Sequence, residues 1–353
     1  MKINKIFKQV PRIIFGEETL TRLHELLPLL NPDEESILYV IDDVHQTTGL
    51  LKKLKTEKND IILWVDTTHE PTTKQVDELR DSVLRKNKFP KAIVAIGGGS
   101  AMDIGKAISV MLTSSGSSSQ YQGWDLVKNQ AVYKVGIPTL SGTGAEASRT
   151  AVLTGPDKKF GINSDQSMFD AIICDSSLLK TVPVDQRFYT AMDCYIHCVE
   201  SITGTMINEI AKAYASKALD LCRNVFLHDG DDDQLMVASY MGGCSIVNSE
   251  VGICHALSYG LSLELGFHHG IANCIAFNVL DQYYGEYVEE MRKMMELHNI
   301  QLPSKVCKDI SEQGLQRMIE MTLKMEKPLT NALGENWREV FTPEVIMNLY
   351  RQM

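Results

Sequence analysis

The run AIVAIGGGSAMDIGKAIS, residues 92–109, decides the fold class. Ala92–Ile96 is an apolar, β-branched stretch short enough to be one buried strand. Gly97, Gly98 and Gly99 follow as a tight turn, and Ser100 opens a helix. Glycines let backbone N–H groups approach a phosphate with no Cβ in the way, and a helix N-terminus adds partial positive charge. Strand, glycine turn and helix together suit a pyrophosphate. The spacing is neither GxGxxG nor a P-loop, so a plain tight turn is an equally open reading. Outward from this run, Ile37–Ile41, Ile61–Val65 and Val135–Ile137 read as further strands. Between two of them, residues 74–85 carry Val76, Leu79, Val83 and Leu84 at helical spacing. This alternation predicts βαβ units and a mostly parallel sheet. A second loop, TLSGTGAEAS (139–148), follows a strand and is expected to open a helix at Ala145; such strand-end loops are where open α/β sheets bind ligands. Asp42, ending ILYVID, is the candidate for an adenosine ribose, with a turn-forming role as the competing reading.

Beyond about residue 185 the texture changes. Met, Leu, Ala, Lys and Glu dominate, and residues 185–203, 208–226, 233–248 and 287–298 read as helices. The expected architecture is α/β plus all-α: a Rossmann-like nucleotide-binding domain over 1–182 and a helical domain over 183–353. A length of 353 residues fits two domains. The net charge of −10 argues against nucleic acid or an anionic membrane as partner. The N-terminal stretch MKINKIFKQVPRIIFGEETL has no signal-peptide core, and no apolar run is long enough to span a bilayer, so a cytoplasmic protein is expected. The eight cysteines lack framework spacing and contain no CxxC, which fits reduced, buried thiols.

MDCYIHCVES, residues 192–201, crowds metal-ligating side chains together. Asp193 and His197 share one helix face; Cys194 and Cys198 share another, displaced by about 100°. The two pairs cannot both point at one small ion. His255 lies in GICHALSYG on a predicted helix, and His268 and His269 lie in GFHHG, read as a glycine-flanked turn. One carboxylate with two or three imidazoles suits Fe(II), Zn(II) or Mn(II) with room for a substrate oxygen. Ordinary i,i+4 ion pairing would produce the same spacing, so spacing alone leaves the choice open.

Taken in order, these stretches resemble the iron-containing (group III) alcohol dehydrogenase family over nearly the whole chain. GGGSAMDIGK is similar to its GGGSxxDxAK loop, with Gly105 where alanine is usual. IPTLSGTGAEAS is similar to IPTxxGTGSE, and CDSSLLKTVPVDQRFYTAMDCYIHCVES to DPxLxxTLPxxxTAxxGxDALxHAxE. GICHAL and HHGIANCIAF complete the series. The resemblance implies the dehydroquinate synthase-like fold of that family, a cleft between its two domains, NAD(P), in the first instance NAD, and a divalent metal, Fe2+ or Zn2+ or else Mn2+. It carries the metal ligands onto Asp193, His197, His255 and His269. It places cofactor contacts on Asp42, Gly97, Gly98, Gly99, Ser100, Asp103, Thr139, Ser141, Gly142, Thr143 and Leu178. Where the family often has a second histidine, four residues past the third ligand, this chain has Tyr259; where proline often precedes the last ligand, it has His268. Tyr259, His268 or solvent is then the proton relay. Family members usually form dimers or higher oligomers, so a homodimer is the first expectation. FKQVPRIIFG, DDVHQ, YQGWDLV, GTGAEASRTAVL and KALDLCR are more similar to one branch of the family. That branch oxidises the terminal C8 alcohol of the sugar acid 3-deoxy-D-manno-octulosonate (Kdo), toward 8-amino-Kdo and lipopolysaccharide. An anionic sugar needs a local cation, with Arg149 the first candidate and Lys159 the second. The alternatives are an NAD(P)-dependent reductase of small aldehydes or diols, and a metal- or nucleotide-binding protein without turnover.

Overall fold

In the computed structural model, residues 9–28, 31, 35–86, 88–156 and 159–353 are described; Phe7 and Lys8 of FKQVPRIIFG lie outside them. The chain forms two compact units. One is Met1–Leu140 with Ala145–Thr181, the other Ser141–Gly144 with Val182–Met353.

The first unit is built on a six-stranded sheet. Its strands are β1 (Ile13–Phe15), β2 (Ile37–Asp42), β3 (Ile61–Val65), β4 (Ala92–Gly97), β6 (Tyr133–Pro138) and β9 (Ala171–Cys174), in the order β1-β9-β6-β4-β2-β3. Every pairing in it is parallel. A parallel sheet is covered on both faces, and so the inner strands β2, β4 and β9 are buried at every residue. Period-two alternation divides β2 between two cores. Leu38 and Val40 join Ile104 and Ile108 on one face; Tyr39 and Ile41 join Leu23 and Ile137 on the other. The helices α1 (Leu50–Leu54), α2 (Thr73–Leu84) and α3 (Gly99–Met111) belong to this unit. Thr72 caps α2 by accepting from the Gln75 amide at 3.0 Å.

Neither β1 nor β9 of this sheet was foreseen from the sequence, nor were three further strands. β7 (Thr150–Thr154) pairs antiparallel with β8 (Lys159–Asn163), and β5 (Gly123–Trp124) lies parallel to β8. The helix expected at Ala145 is not formed. Gly142 and Gly144 have φ of +151° and +63°, which bends the chain away from a helical start. A single turn follows, closed by the Ser148 amide on the Ala145 carbonyl at 3.4 Å, and the chain then enters β7.

The second unit is helical. Its members are α4 (Val184–Thr203), α5 (Glu209–Leu227), α6 (Asp232–Asn248), α7 (Ile253–Leu265), α8 (His269–Phe277), α9 (Asp281–Tyr284), α10 (Glu286–Leu297), α11 (Glu312–Lys324), α12 (Glu326–Leu333), α13 (Trp337–Val340) and α14 (Pro343–Gln352). α4 is buried from Thr190 to Ser201 and is enclosed by α5, α6, α7 and α8. Asn208, Asp231, Ser311 and Thr342 cap four of the helices. Gly266, at φ +72°, ends α7. The HHG segment is more than the turn expected of it: His268 is the N-cap of α8 and His269 its first residue.

Candidate functional site

Three helices of the second unit bring four side chains to one point. α4 contributes Asp193 and His197, four residues apart and so on one face. His255 stands in the first turn of α7, and His269 opens α8. One ligand atom from each lies within 4.8 Å of all the others. The geometry centres on Oδ1 of Asp193. Nε2 of His255 stands 3.2 Å from it, Nε2 of His197 3.4 Å and Nε2 of His269 3.5 Å. The His197 and His255 rings are stacked, with centroids 4.6 Å apart. Asp193, His197 and His255 are buried, whereas the His269 side chain is 26% exposed, which leaves one side of the cluster open.

These residues fit a divalent cation. A tetrahedron with bonds of about 2.1 Å has edges of about 3.4 Å, the spacing found between Asp193 Oδ1 and the three Nε2 atoms. Oδ2 of Asp193 is buried and accepts no hydrogen bond, a costly state for a carboxylate oxygen unless a cation is nearby. Burial would raise the Asp193 pKa, but His197, His269 and His255 together hold it well below the usual carboxylate range. Burial takes His197 down to about 4, so at neutral pH it is an uncharged donor. His255 is also pushed down by burial, but Glu200 and Asp193 outweigh this and raise it to about 10. Two carboxylates held ionised in a buried space, Asp193 and Glu200, favour a divalent cation beside them.

Two supporting residues escaped the sequence reading. Glu200 meets His255 Nδ1 at 2.5 Å. Asn273 donates to Asp193 Oδ1 at 2.7 Å and lies 3.2 Å from His269 Nε2. The signal was present: Glu200 is seven residues past Asp193 and three past His197, on the same helix face, and Asn273 is four past His269. Of the two relay candidates, Tyr259 packs against His269 with centroids 5.9 Å apart, while His268 is exposed.

The cysteines beside this cluster face elsewhere. Cys194 Sγ donates to the Ala238 carbonyl at 3.1 Å and lies 3.8 Å from Cys222 Sγ. Gly242 of α6 meets both thiols: a Cβ there would stand 2.7 Å from Cys194 Sγ and 3.4 Å from Cys198 Sγ. All eight cysteines are buried, and none forms a disulfide. Among the described residues no group of three or more potential ligands includes a thiolate.

In the first unit the glycine turn stands at the C-terminal edge of the sheet, beside Asp42. Gly97 has φ +152°, and a Cβ on it would lie 2.5 Å from Ala101 Cβ and 2.8 Å from Asp42 Cβ. The Thr139 amide donates to the Gly97 carbonyl at 3.0 Å, so the ends of β4 and β6 are tied together. The Asp42 oxygens accept from the Val44 amide at 3.2 Å and the Thr67 hydroxyl at 2.9 Å, and burial raises its pKa. Ser100 lies in the first turn of α3. Asp103 takes Lys106 at 3.4 Å and the Val152 amide at 3.0 Å; burial pushes its carboxyl up to about 6 even with Lys106 beside it. Leu178 packs against the sheet core.

Ser141, Gly142 and Thr143 belong to the second unit, where the Gly142 amide donates to Ser239 Oγ at 2.8 Å. Arg149 pairs with Asp125 and, at 3.4 Å, with Asp165; Lys159 pairs with Glu70 at 3.2 Å. Both cations therefore already have carboxylate partners in this chain.

Comparison with known proteins places this arrangement. Residues 11–176 match the description "Iron-containing alcohol dehydrogenase", and residues 187–333 match "Fe-containing alcohol dehydrogenase family, C-terminal". A sulfoacetaldehyde reductase from Bilophila wadsworthia is 31% identical over 228 residues, which cover 62% of this chain and 58% of the reductase. An iron-containing alcohol dehydrogenase structure from Thermotoga maritima superposes with a TM-score of 0.81 at 25% identity, over 98% of both chains. A sulfoacetaldehyde reductase from Bifidobacterium kashiwanohense, solved in complex with NAD+, superposes with a TM-score of 0.78 at 20% identity, over 99% of this chain and 98% of that one. No helix among the described residues is long and apolar enough to cross a membrane. With both family regions matched and the fold shared, the chain belongs to the iron-containing alcohol dehydrogenase family.

Proposed function

We propose that this chain is a metal- and NAD-dependent oxidoreductase acting on the terminal C8 primary alcohol of Kdo, which it converts to the aldehyde. The observation that carries the chemistry is the convergence of three imidazole Nε2 atoms within 3.5 Å of Asp193 Oδ1. Asp193, His197, His255 and His269 would hold the cation. When bound, a divalent cation there supplies Lewis acidity to a hydroxyl oxygen, and a nicotinamide accepts the hydride.

The residues of the chain do the rest. His197 and His255 fix two donors in a dry setting, and His269 keeps the side open to substrate. Tyr259, whose ring packs on His269, would pass the hydroxyl proton outward, with exposed His268 at the start of α8 as the other candidate. The glycine turn at residues 97–99 and Ser100 would receive the cofactor phosphates through backbone N–H groups. Asp42 beside Gly97 would face the adenosine ribose. Asp103, by contrast, spends its carboxylate on Lys106 and the Val152 amide, so its contribution is to hold α3 and β7 in place. The Kdo reading is supported by the sequence stretches that single out one branch of the family. Native metal (iron, zinc or manganese) and a homodimeric, cytoplasmic enzyme belong to the same reading.

A second reading is supported by the sulfoacetaldehyde reductase relative: reduction of small, including anionic, aldehydes. Turnover by the metal-reconstituted protein on Kdo, sulfoacetaldehyde, propane-1,2-diol and glycerol, each with and without added nicotinamide cofactor, separates the two. Preference for Kdo supports the first. Turnover of only the small substrates overturns it in favour of the second.

A further inference from the structure

Glu200 is a fully buried carboxylate, and among the described residues its ion-pair partner is a histidine of the cluster, His255. Its oxygens are nevertheless fully used. Oε2 accepts from the Gly252 amide at 2.7 Å and meets His255 Nδ1 at 2.5 Å. Oε1 accepts from the Cys254 amide at 2.6 Å and the Tyr284 hydroxyl at 3.0 Å. Two of these donors are backbone groups at the start of α7, the end that carries partial positive charge and unpaired N–H groups. Gly252, the residue before α7, lacks the cap side chain usual there, and a Cβ on it would stand 2.7 Å from the Tyr284 oxygen and 3.0 Å from Glu200 Oε1. The glycine therefore makes room for a carboxylate from α4 to do the capping.

We infer that Glu200 is a positioning residue, which acts on the metal through His255. The same carboxylate that seats the first turn of α7 accepts a hydrogen bond from His255 Nδ1–H. Nε2 is then the nitrogen offered to a cation, 3.2 Å from Oδ1 of Asp193 on the same helix as Glu200. A carboxylate behind a ligating imidazole fixes its tautomer and raises its basicity. One side chain thus sets both where His255 stands and which nitrogen it offers. This inference rests on the metal-site reading above and goes beyond it, because it assigns a role to Glu200, Gly252 and Tyr284.

The test uses the full chain loaded with Co2+, read by chelator competition and by the visible d–d spectrum. Glu200→Gln keeps the shape but leaves one backbone N–H facing another donor. It should weaken Co2+ binding about 10- to 100-fold and shift the visible band. Gly252→Ala, which pushes Glu200 and Tyr284 aside, should weaken it about 10-fold by the same route. Should Glu200→Gln fail to fold, Tyr284→Phe decides: it removes one hydroxyl from the carboxylate and should still shift the band and raise the Co2+ dissociation constant. A role confined to capping α7 would lower thermal stability in all three variants and leave the dissociation constant and spectrum as in the parent, and that result overturns the inference. A parent chain that binds no stoichiometric Co2+ would instead defeat the metal-site reading itself.

Discussion

Asp193 and Cys194 are neighbours on α4, and both are buried, yet they belong to different chemistries. The face carrying Asp193, His197 and Glu200 is met by α7 and α8, which supply two imidazoles, an amide and two backbone N–H groups. The face carrying Cys194 and Cys198 is met by Cys222 of α5 and Gly242 of α6, which bring packing and weak thiol contacts but no charge. Burial therefore does not distinguish a site from a core. The difference lies in what the neighbouring helices bring. Buried charge needs partners, whereas a protonated thiol behaves as a small hydrophobe.

The largest expected effect tests the comparison at its polar side. His255→Ala or His269→Ala should abolish stoichiometric metal and lower kcat/KM at least about 1,000-fold, the loss expected when Lewis-acid assistance worth several kcal/mol goes. Cys198→Ala should leave metal content and turnover near the parent values. Near-full activity with one bound metal in either histidine variant would break the distinction between the two faces.

Glycine substitutions sharpen it next. Gly97→Ala introduces a Cβ 2.5 Å from Ala101 in a backbone conformation of φ +152°. It should cost about 1–3 kcal/mol and weaken NAD binding, as read by denaturant unfolding and calorimetry. Gly242→Ala presses on Cys194 Sγ and should cost a similar ~1–3 kcal/mol of overpacking with no change in bound metal. Loss of metal in the Gly242 variant would mean that the thiol face is coupled to the site after all.

Proton release gives a smaller signal. In the metal-free protein His255, raised to about 10, carries protons on both nitrogens at pH 7.5. A cation taking Nε2 displaces one of them, so binding should release about one proton and weaken as pH falls. His197, at about 4, is already neutral there and contributes none. Above about pH 10 the release should vanish. Calorimetry in buffers of different ionisation enthalpy measures this, and zero release at pH 7.5 would contradict a doubly protonated His255. The smallest effect is expected for Arg149→Ala. Its existing pairs with Asp125 and Asp165 are partly exposed and worth about 1 kcal/mol or less. A rise in KM for Kdo would assign Arg149 to the substrate, and an unchanged KM would remove it.

Much of this was legible in the chain. The buried strand of residues 92–96 and its glycine turn announced the parallel sheet, and the helices at 185–203, 208–226 and 233–248 lie within a residue or two of α4, α5 and α6. The three-stranded sheet of β5, β7 and β8 was not legible, because two- to five-residue strands with mixed exposure carry no clear period. The turn at Ala145 was misread as a helix because local composition says nothing about the two left-handed glycines before it. Glu200 was overlooked although it lies within the quoted cluster, since its use depends on donors from α7 and α9.

What the sequence determined by itself was periodic and local: which stretches are strands, which are helices, and that Asp193 and His197 share a face separate from Cys194 and Cys198. Only the tertiary structure decided which of those faces becomes a site. That choice depends on contacts spanning 62 residues from Asp193 to His255 and 80 from Asp193 to Asn273. Helical periodicity fixes direction within one element, but the convergence of donors on Asp193 comes from how separate helices pack, and no local pattern encodes that.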